Sequence, residues 1–547
     1  MIDPLFSRSV ALDRLASENF DVVIVGGGIV GCGVALDAAS RGLKTALVER
    51  DDFASGTSSK SSKLIHGGLR YLQQGEFRLV YEALLERERL RRNAPHLVRR
   101  LPFLIPVFTK DGLFNKKIAR ALGSAMWMYD FTGGLRIGKL HKRLKADAAL
   151  ALMPTLPIDR VGGGYLYYDA QADDARVTLT LARTAAVDHG AVVANRCSVV
   201  GIVKEGSGKA TGVTVRADDH EFTVNATVVV NACGVWSDGI ASLDEGVDHT
   251  PMIRPAKGVH ITLPWSKVRN EIAVVVPVPK DKDKRSVFVI PDGDFTYIGT
   301  TDTDYDGPID DPQCTPEDIE YLLRAANFSI TGGITVDDIV GTWAGLRPLV
   351  MDASSAKTAD LSRHHKIRTS ASGIISISGG KLTTYRKMAQ DTVDAISLAS
   401  GRKTKCRTKR LPLHGATGES IEKTDRSLAA HLRSRFGSDA AAIMALIDDD
   451  TSLSTPLVDG LPYVRAEAIF AVRTEMATTL ADVLDRRTRA RLLGRDAALR
   501  AAPAVADLMA TELGWSSDEI AAQVTAYVES VRHETDACGF GSPIPAG

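Results

Sequence analysis

Asp21-Val-Val-Ile-Val-Gly-Gly-Gly-Ile-Val-Gly31 carries a short apolar, β-branched segment straight into Gly26-x-Gly28-x-x-Gly31, and a second such segment, Lys44-Thr-Ala-Leu-Val48, ends at Glu49. The pattern predicts strand, tight turn, helix and strand: the opening βαβ unit of an α/β sheet that grips a dinucleotide. Gly26 permits the turn, Gly28 lets backbone N–H groups approach a pyrophosphate at the positive end of the helix, and Gly31 lets that helix pack close to the strand. Glu49 stands 21 residues beyond Gly28, where a carboxylate is expected to accept hydrogen bonds from an adenosine ribose. These residues alone leave NAD and FAD both open.

The helix after the grip, read from Ile29 to Arg41, carries Ala35, Ala38, Ala39 and Ser40, small residues suited to packing on a sheet. A Ser-, Gly- and Lys-rich loop over 51 to 68 follows, then a helix over Glu76 to Arg92 with Phe77, Val80, Tyr81, Leu84 and Leu85 on one face, read as a surface element. Short β-rich runs, among them Phe222 to Val224 and Thr227 to Val230, read as a sheet appended to the first unit. A further set from roughly 250 to 350, including Gly258 to Leu263 and Phe295 to Gly299, reads as a second, antiparallel sheet facing the substrate. Gly373 to Ser378 is a compact strand pattern that meets Gly379-Gly380 and a helix starting near Lys381, so the first sheet is expected to be completed by a distant segment. Past Cys406 the chain becomes Ala- and Arg-rich with helical periodicity. The expected organisation is a discontinuous dinucleotide-binding domain over 15–405, an interleaved substrate domain at about 75–165 and 250–345, and a C-terminal helical domain over 406–547.

With 547 residues, several domains are expected. The 67 basic and 67 acidic side chains balance, which argues against a nucleic-acid partner, since phosphate neutralisation demands a cationic excess. Six cysteines without a CxxC pair signal neither a metal site nor a disulfide framework, and a reducing cytoplasm is the simplest compartment. The first twenty residues lack the apolar core of a secretory signal, and no run approaches the length of a spanning helix. Membrane contact is therefore expected to be peripheral. Between Arg99 and Phe131, Arg100, Lys110, Lys116, Lys117 and Arg120 interleave with Leu101, Phe103, Ile105, Phe108, Phe114, Ile118, Leu122, Met126 and Trp127, a pattern that suits an interfacial anchor and equally an amphipathic helix packed on its own domain.

A dinucleotide site built from segments far apart in sequence favours a flavin over NAD. Gly26 to Gly31, Ser58-Ser-Lys-Ser-Ser-Lys-Leu-Ile-His-Gly-Gly-Leu-Arg-Tyr71, Lys257-Gly-Val-His260, Ile298-Gly-Thr-Thr-Asp302, Gly345-Leu-Arg-Pro348 and Gly379-Gly-Lys-Leu-Thr-Thr-Tyr-Arg386 together resemble the FAD-dependent glycerol-3-phosphate dehydrogenases. The resemblance runs from about residue 10 to about 390 and continues more weakly around Asp482 to Thr488, with Ser61 to Tyr71 its most specific block. One departure is Ala232-Cys233-Gly234, where the family has Ala-Thr-Gly.

The resemblance implies an α/β flavoprotein with a Rossmann-like, D-amino-acid-oxidase-like FAD domain, an inserted antiparallel substrate domain and a helical C-terminal domain. It implies oxidation of sn-glycerol 3-phosphate to dihydroxyacetone phosphate, with electrons passed to a membrane quinone at the inner face of the membrane. A glycerol-3-phosphate oxidase, or a flavin-containing binding or RNA-modifying protein, stand as alternatives, and a homodimer is compatible with the sequence. Arg70, Arg347 and Arg363, with the Tyr71 hydroxyl, are carried over as phosphate ligands, since a guanidinium forks two hydrogen bonds to an oxyanion and keeps its charge. His260 is carried over as the base for the substrate O–H, and Arg347 is an alternative polariser of that hydroxyl. Lys381 is placed at a helix start to face the flavin, the substrate phosphate, or both. Thr57, Ser58, Ser59, Ser61, Ser62, Gly234, Gly379, Gly380 and Leu382 complete the implied cofactor contacts. No metal is implied.

Overall fold

The computed structural model describes residues 4–68, 76–109, 139–246, 249–279, 285–351, 364–417 and 427–541. Asn19–Val25 and Thr45–Val48 are parallel neighbours, joined by the helix Ile29–Ser40. Alternation along the first strand divides its side chains between two cores. Val22 and Ile24 pack with Val34 and Leu36 of that helix and with Met388 and Val393, whereas Val23 and Val25 pack with Ala11, Leu15, Val213 and Val215. A strand covered on both faces must be apolar throughout, which is why this one reads as an unbroken run.

The first sheet runs in the order Lys366–Thr369, Ile375–Ser378, His220–Asn231, Asn19–Val25, Thr45–Val48, Val192–Ala194. Ile375–Ser378 pairs in parallel with His220–Asn231, so a late segment does complete a sheet begun at residue 19. The runs Phe222 to Val224 and Thr227 to Val230 are not separate strands. Asn225 pairs with both Asn19 and Gly212, carrying one strand, His220–Asn231, through the middle of the sheet.

The second sheet is ten-stranded among the described residues. Its centre for function is Ile253–Pro264, flanked antiparallel by Phe295–Gly299 and Gly341–Val350. The helix Pro316–Ser329 covers one face through Ile319, Leu322 and Ala326. Val98–Phe108 is also a strand of this sheet, paired with Val161–Ala172 and burying Leu101, Phe103, Leu104 and Ile105. That corrects the reading of Arg99 to Phe108 as part of a membrane-facing stretch, because a strand in mid-sheet turns its apolar side chains into the core. Lys110 to Phe131, the rest of that stretch, lies outside the described residues. No helix among the described residues is long and apolar enough to cross a membrane.

The helix Phe77–Asn93 is more than a surface element. Phe77 and Tyr81 are exposed, but Glu86 receives a two-pronged grip from Arg386, at 2.6 and 2.7 Å, and Arg87 meets Asp169 at 2.5 Å.

The helices Arg465–Thr474, Arg495–Leu513 and Ser517–Ala537 build a core of their own, and ion pairs join the C-terminal region to the first sheet's domain. Arg176 pairs with Glu475, Arg183 with Asp439 at 2.6 Å, and Arg196 with Asp482 at 2.8 Å. His414 joins this seam, 3.1 Å from Asp188 and 3.4 Å from Asp439, and the two carboxylates raise its pKa to about 9. A histidine raised above its unfolded value near 6.5 contributes stability fully below that pH and loses it as pH rises through about 9. Thermal unfolding followed from pH 6 to 10 is expected to show a loss of up to about 3 kcal/mol across this window, and His414→Gln to flatten it.

Candidate active site

The carboxyl ends of Asn19–Val25 and His220–Asn231 lie side by side, a switch point where open α/β sheets bind ligands. Gly26 turns here with φ +108, and a Cβ on it would sit 2.8 Å from the Ala232 carbonyl. Gly234 follows at the start of the short turn Gly234–Trp236. Cys233 Sγ donates to the Val25 carbonyl at 3.3 Å, so the thiol ties the two strand ends together. Gly28 is the N-cap of the helix Ile29–Ser40, and the Ile29 N–H donates to Ser58 Oγ at 2.9 Å. The serine-rich loop therefore lies on the glycine turn.

Glu49 accepts the Gly27 N–H at 2.6 Å and the Asp51 N–H at 2.8 Å. Burial, reinforced by Asp51 and Asp52, pushes its carboxyl up to about 7 in spite of those two donors.

Of the loop hydroxyls, Thr57 donates to the Leu346 carbonyl at 2.6 Å and Ser59 to the Gly56 carbonyl at 3.4 Å. Ser61 is turned to Asp174 at 2.6 Å, in the same cluster where Lys63 Nζ meets Asp174 at 2.9 Å. Ser62 Oγ lies 2.8 Å from His260 Nε2. His260 is 2% exposed, with its ring stacked on Trp343 at 4.7 Å and 8°. The opposite neighbour is Gly299, where a Cβ would fall 2.0 Å from His260 Cδ2. His260 Nδ1 is buried and has no hydrogen-bond partner among the described residues. Burial first, then the charges of Lys63 and Arg347, hold the imidazole well below the ordinary histidine range, so it is neutral at physiological pH.

Arg347 sits across the strand pair from Ala256. It donates to Asp302 at 2.8 Å, to Thr300 Oγ1 at 3.2 Å and to the carbonyls of Thr301 and Lys257 at 3.1 and 3.4 Å. Beyond the strand Ile375–Ser378, Gly379 and Gly380 both take φ +79 and reverse the chain, leaving Lys381 as the N-cap of the turn Leu382–Thr384. Thr383 Oγ1 accepts the His66 N–H at 3.1 Å and donates back to its carbonyl at 3.3 Å, which ties the Lys381 turn to the end of the serine-rich loop.

The fold thus brings together Gly26, Gly28, Gly31, Glu49, Ser58 and Gly234 in one cluster, and Ser62, His260 and Arg347 in another. Arg70, Tyr71 and Arg363 lie outside the described residues. Three participants escaped the sequence reading: Trp343, Lys63 and His66. Trp343 is visible only through the packing around His260, whereas Lys63 and His66, the latter half-buried and edge-on to Phe288 at 6.2 Å, both stand inside the Ser61 to Tyr71 block.

A family model described as FAD dependent oxidoreductase matches residues 21–386, and one described as the C-terminal domain of alpha-glycerophosphate oxidase matches residues 406–520. Glycerol-3-phosphate dehydrogenase 2 of Mycobacterium tuberculosis is 40% identical over 542 residues, covering 96% of this chain and 90% of its own. The chain belongs to the FAD-dependent glycerol-3-phosphate dehydrogenase family. Another member, the mitochondrial glycerol-3-phosphate dehydrogenase of Rattus norvegicus, is 38% identical over 93% of this chain and 73% of its own. The solved glycerol-3-phosphate dehydrogenase of Bacillus halodurans, complexed with FAD, superposes with a TM-score of 0.79 at 30% identity, over 97% of this chain and 98% of its own. L-alpha-glycerophosphate oxidase of Mycoplasma pneumoniae, at 19% identity and a TM-score of 0.55 over 71% of this chain and 97% of its own, shares the fold.

FAD is the cofactor of this family, and the residues present fit it. Among the described residues, added Cβ atoms would meet only Ser58 Oγ at Gly28 and nothing at Gly234, so backbone is open to a ligand on both sides of the switch point. Ser378 Oγ, beside Gly379, is a buried polar atom without a partner among the described residues.

Proposed function

We propose that this protein oxidises sn-glycerol 3-phosphate to dihydroxyacetone phosphate and passes the electrons to a membrane quinone. The observation that carries the reading is a neutral, buried histidine and a fixed arginine on adjoining strands, in a chain 40% identical to a glycerol-3-phosphate dehydrogenase over nearly its whole length. FAD, when bound, supplies the acceptor for the carbon-bound hydrogen of the substrate. Gly26, Gly28 and Gly31 with Ser58 and Ser59 would hold the pyrophosphate, and Glu49 the ribose. Thr57, Ser62, Gly234, Gly379, Gly380, Lys381 and Leu382 would line the remainder, whereas Ser61 is held by Asp174.

The secondary alcohol needs a base for its O–H. His260 is buried and its Nε2 meets Ser62 Oγ, so we assign the proton's path through Ser62 Oγ: the serine takes the substrate proton and yields its own to His260 Nε2. Arg347 is already neutralised by Asp302 and is assigned to orienting the hydroxyl rather than to carrying the phosphate. That charge falls to Lys381, with Arg70, Tyr71 and Arg363. Asp302→Asn is expected to release the Arg347 fork and lower kcat/KM by about 10–100-fold, the scale of a small misplacement, read as the initial rate of anaerobic flavin bleaching.

A peripheral seat on the cytoplasmic face of the membrane follows from the quinone acceptor. The oxidase reading finds support in the description of the model matching residues 406–520. One experiment separates them. The FAD-loaded protein is bleached anaerobically with glycerol 3-phosphate, and portions then receive air or a quinone analogue. Rapid recovery with the analogue and slow recovery in air is expected; rapid recovery in air overturns the dehydrogenase reading, and failure to bleach overturns the substrate.

A further inference from the structure

The segment that follows Glu49 wraps the glycine turn on its outer side. The Ala54 N–H donates to the Gly27 carbonyl at 3.1 Å while the Gly27 N–H donates to Glu49, so residues 49–54 and Gly27 hold one another through two hydrogen bonds. Between them stands Asp52, 0% exposed, an ionised side chain at the back of a nucleotide site. Its carboxylate receives Arg487 Nη1 and Nη2 at 2.7 and 2.8 Å, Arg486 Nε at 2.7 Å and Asn195 Nδ2 at 3.1 Å. Both arginines belong to the turn Asp482–Arg487 of the helical domain, more than 400 positions away in the chain. That turn is itself braced. Asp482 accepts from Arg196 and Arg486 and from the N–H groups of Thr478 and Thr479, and Arg487 also donates to the Glu475 carbonyl at 2.7 Å.

A buried carboxylate with two arginines is poor value as mere glue, because desolvating three charges offsets most of their attraction. It is well suited to fixing one geometry, since paired donors in a rigid fork specify where the acceptor lies. The geometry it fixes here is that of Glu49, assigned above to the ribose, and of Gly27, which lies within the glycine turn assigned to the pyrophosphate.

We propose that the Asp482–Arg487 turn is a positioning element for the adenosine diphosphate half of FAD: it acts through Asp52 to hold the 49–54 loop, and so gives the helical domain a part in cofactor retention. This rests on the FAD reading of the site and not on the choice of substrate or electron acceptor.

The test is the rate of FAD release from the holoenzyme on dilution, with no substrate present, together with thermal unfolding. Arg486→Gln and Asp52→Asn are compared with Asp439→Asn, which breaks the Arg183–Asp439 pair in the same interdomain seam without touching the loop. Release is expected to accelerate about tenfold in the first two, within the usual range of coupling between sites, and to stay unchanged in Asp439→Asn even where its unfolding temperature drops. On FAD-saturated enzyme the KM for glycerol 3-phosphate should not move. Should Asp52→Asn fail to fold, Arg486→Gln, whose side chain is 14% exposed, decides the matter. Unchanged release in Arg486→Gln overturns the proposal, and so does equal acceleration in Asp439→Asn, which would make the effect one of domain docking in general.

Discussion

Replacing His260 by asparagine is expected to slow anaerobic bleaching of the flavin by glycerol 3-phosphate by about 10²–10⁴-fold, the contribution of a positioned general base. Asparagine keeps a polar group for Ser62, so the loop should stay in place, and FAD content and unfolding temperature serve as controls. The pH profile carries the sharper test. A histidine whose folded pKa is depressed keeps its neutral, proton-accepting form below the pH at which free imidazole would be half protonated. The bleaching rate of the wild-type protein should therefore remain flat through the ordinary histidine range near 6.5 and decline only below it. A limb centred on that range would overturn the assignment of His260 as the base. The other histidine of this region is His66, half-buried where the Lys381 turn meets the serine-rich loop. His66→Asn is expected to have the smaller effect of the two variants, and the opposite ranking would move the base to His66.

The same two histidines show what could be read from the chain and what could not. His260 lies in a β-branched run two residues past a glycine, and the alternation of that run places it on a strand; its chemistry, though, is set by Trp343, Gly299, Ser62 and Lys63, which reach it from three other segments. Sequence spacing reports local geometry, so the grip at 26–31, the helix behind it and the acid at 49 were legible to within a residue or so. The late strand Ile375–Ser378 was legible too, because Gly379-Gly380 marks a turn that few other residues adopt. Partners chosen by tertiary packing were not. Ser61 looked as available to a cofactor as Ser58, yet Asp174 at the start of a helix claims it. Arg99 and Arg100 lead into an apolar run ending at Phe108, as the edge of an interfacial segment would, and only its pairing with Val161–Ala172 shows that the apolar set faces a core. The pairing of Asp52 with Arg487 carries no sequence signal, although Arg487 lies in the Asp482 to Thr488 block of the resemblance; it emerges only when the helical domain is folded against the glycine turn.

The largest loss of cofactor is expected from the smallest change, Gly31→Ala. A Cβ on Gly31 would stand 1.8 Å from the Gly26 carbonyl oxygen and 3.0 Å from its carbon, an overlap that one side must relieve by moving. Gly26 cannot retreat easily, since its N–H is held by the Val48 carbonyl at 2.9 Å and its far side abuts the Ala232 carbonyl. The helix Ile29–Ser40 is pinned as well, by Cys32 Sγ donating to the Gly27 carbonyl at 3.3 Å and by Tyr385 against Gly33. Whichever yields, the backbone N–H groups at the helix start lose their aim at the pyrophosphate. Overpacking of this kind costs about 1–3 kcal/mol of stability, and the protein should purify without flavin and lose its thermal stabilisation by added FAD. Gly28→Ala separates packing from binding. Its Cβ would meet only Ser58 Oγ, at 3.3 Å, so the protein without FAD should unfold at the wild-type temperature while its affinity for FAD falls. If both variants retain stoichiometric FAD, the glycine turn is not where the pyrophosphate sits; if both unfold early, crowding inside the turn rather than access of a ligand accounts for its glycines.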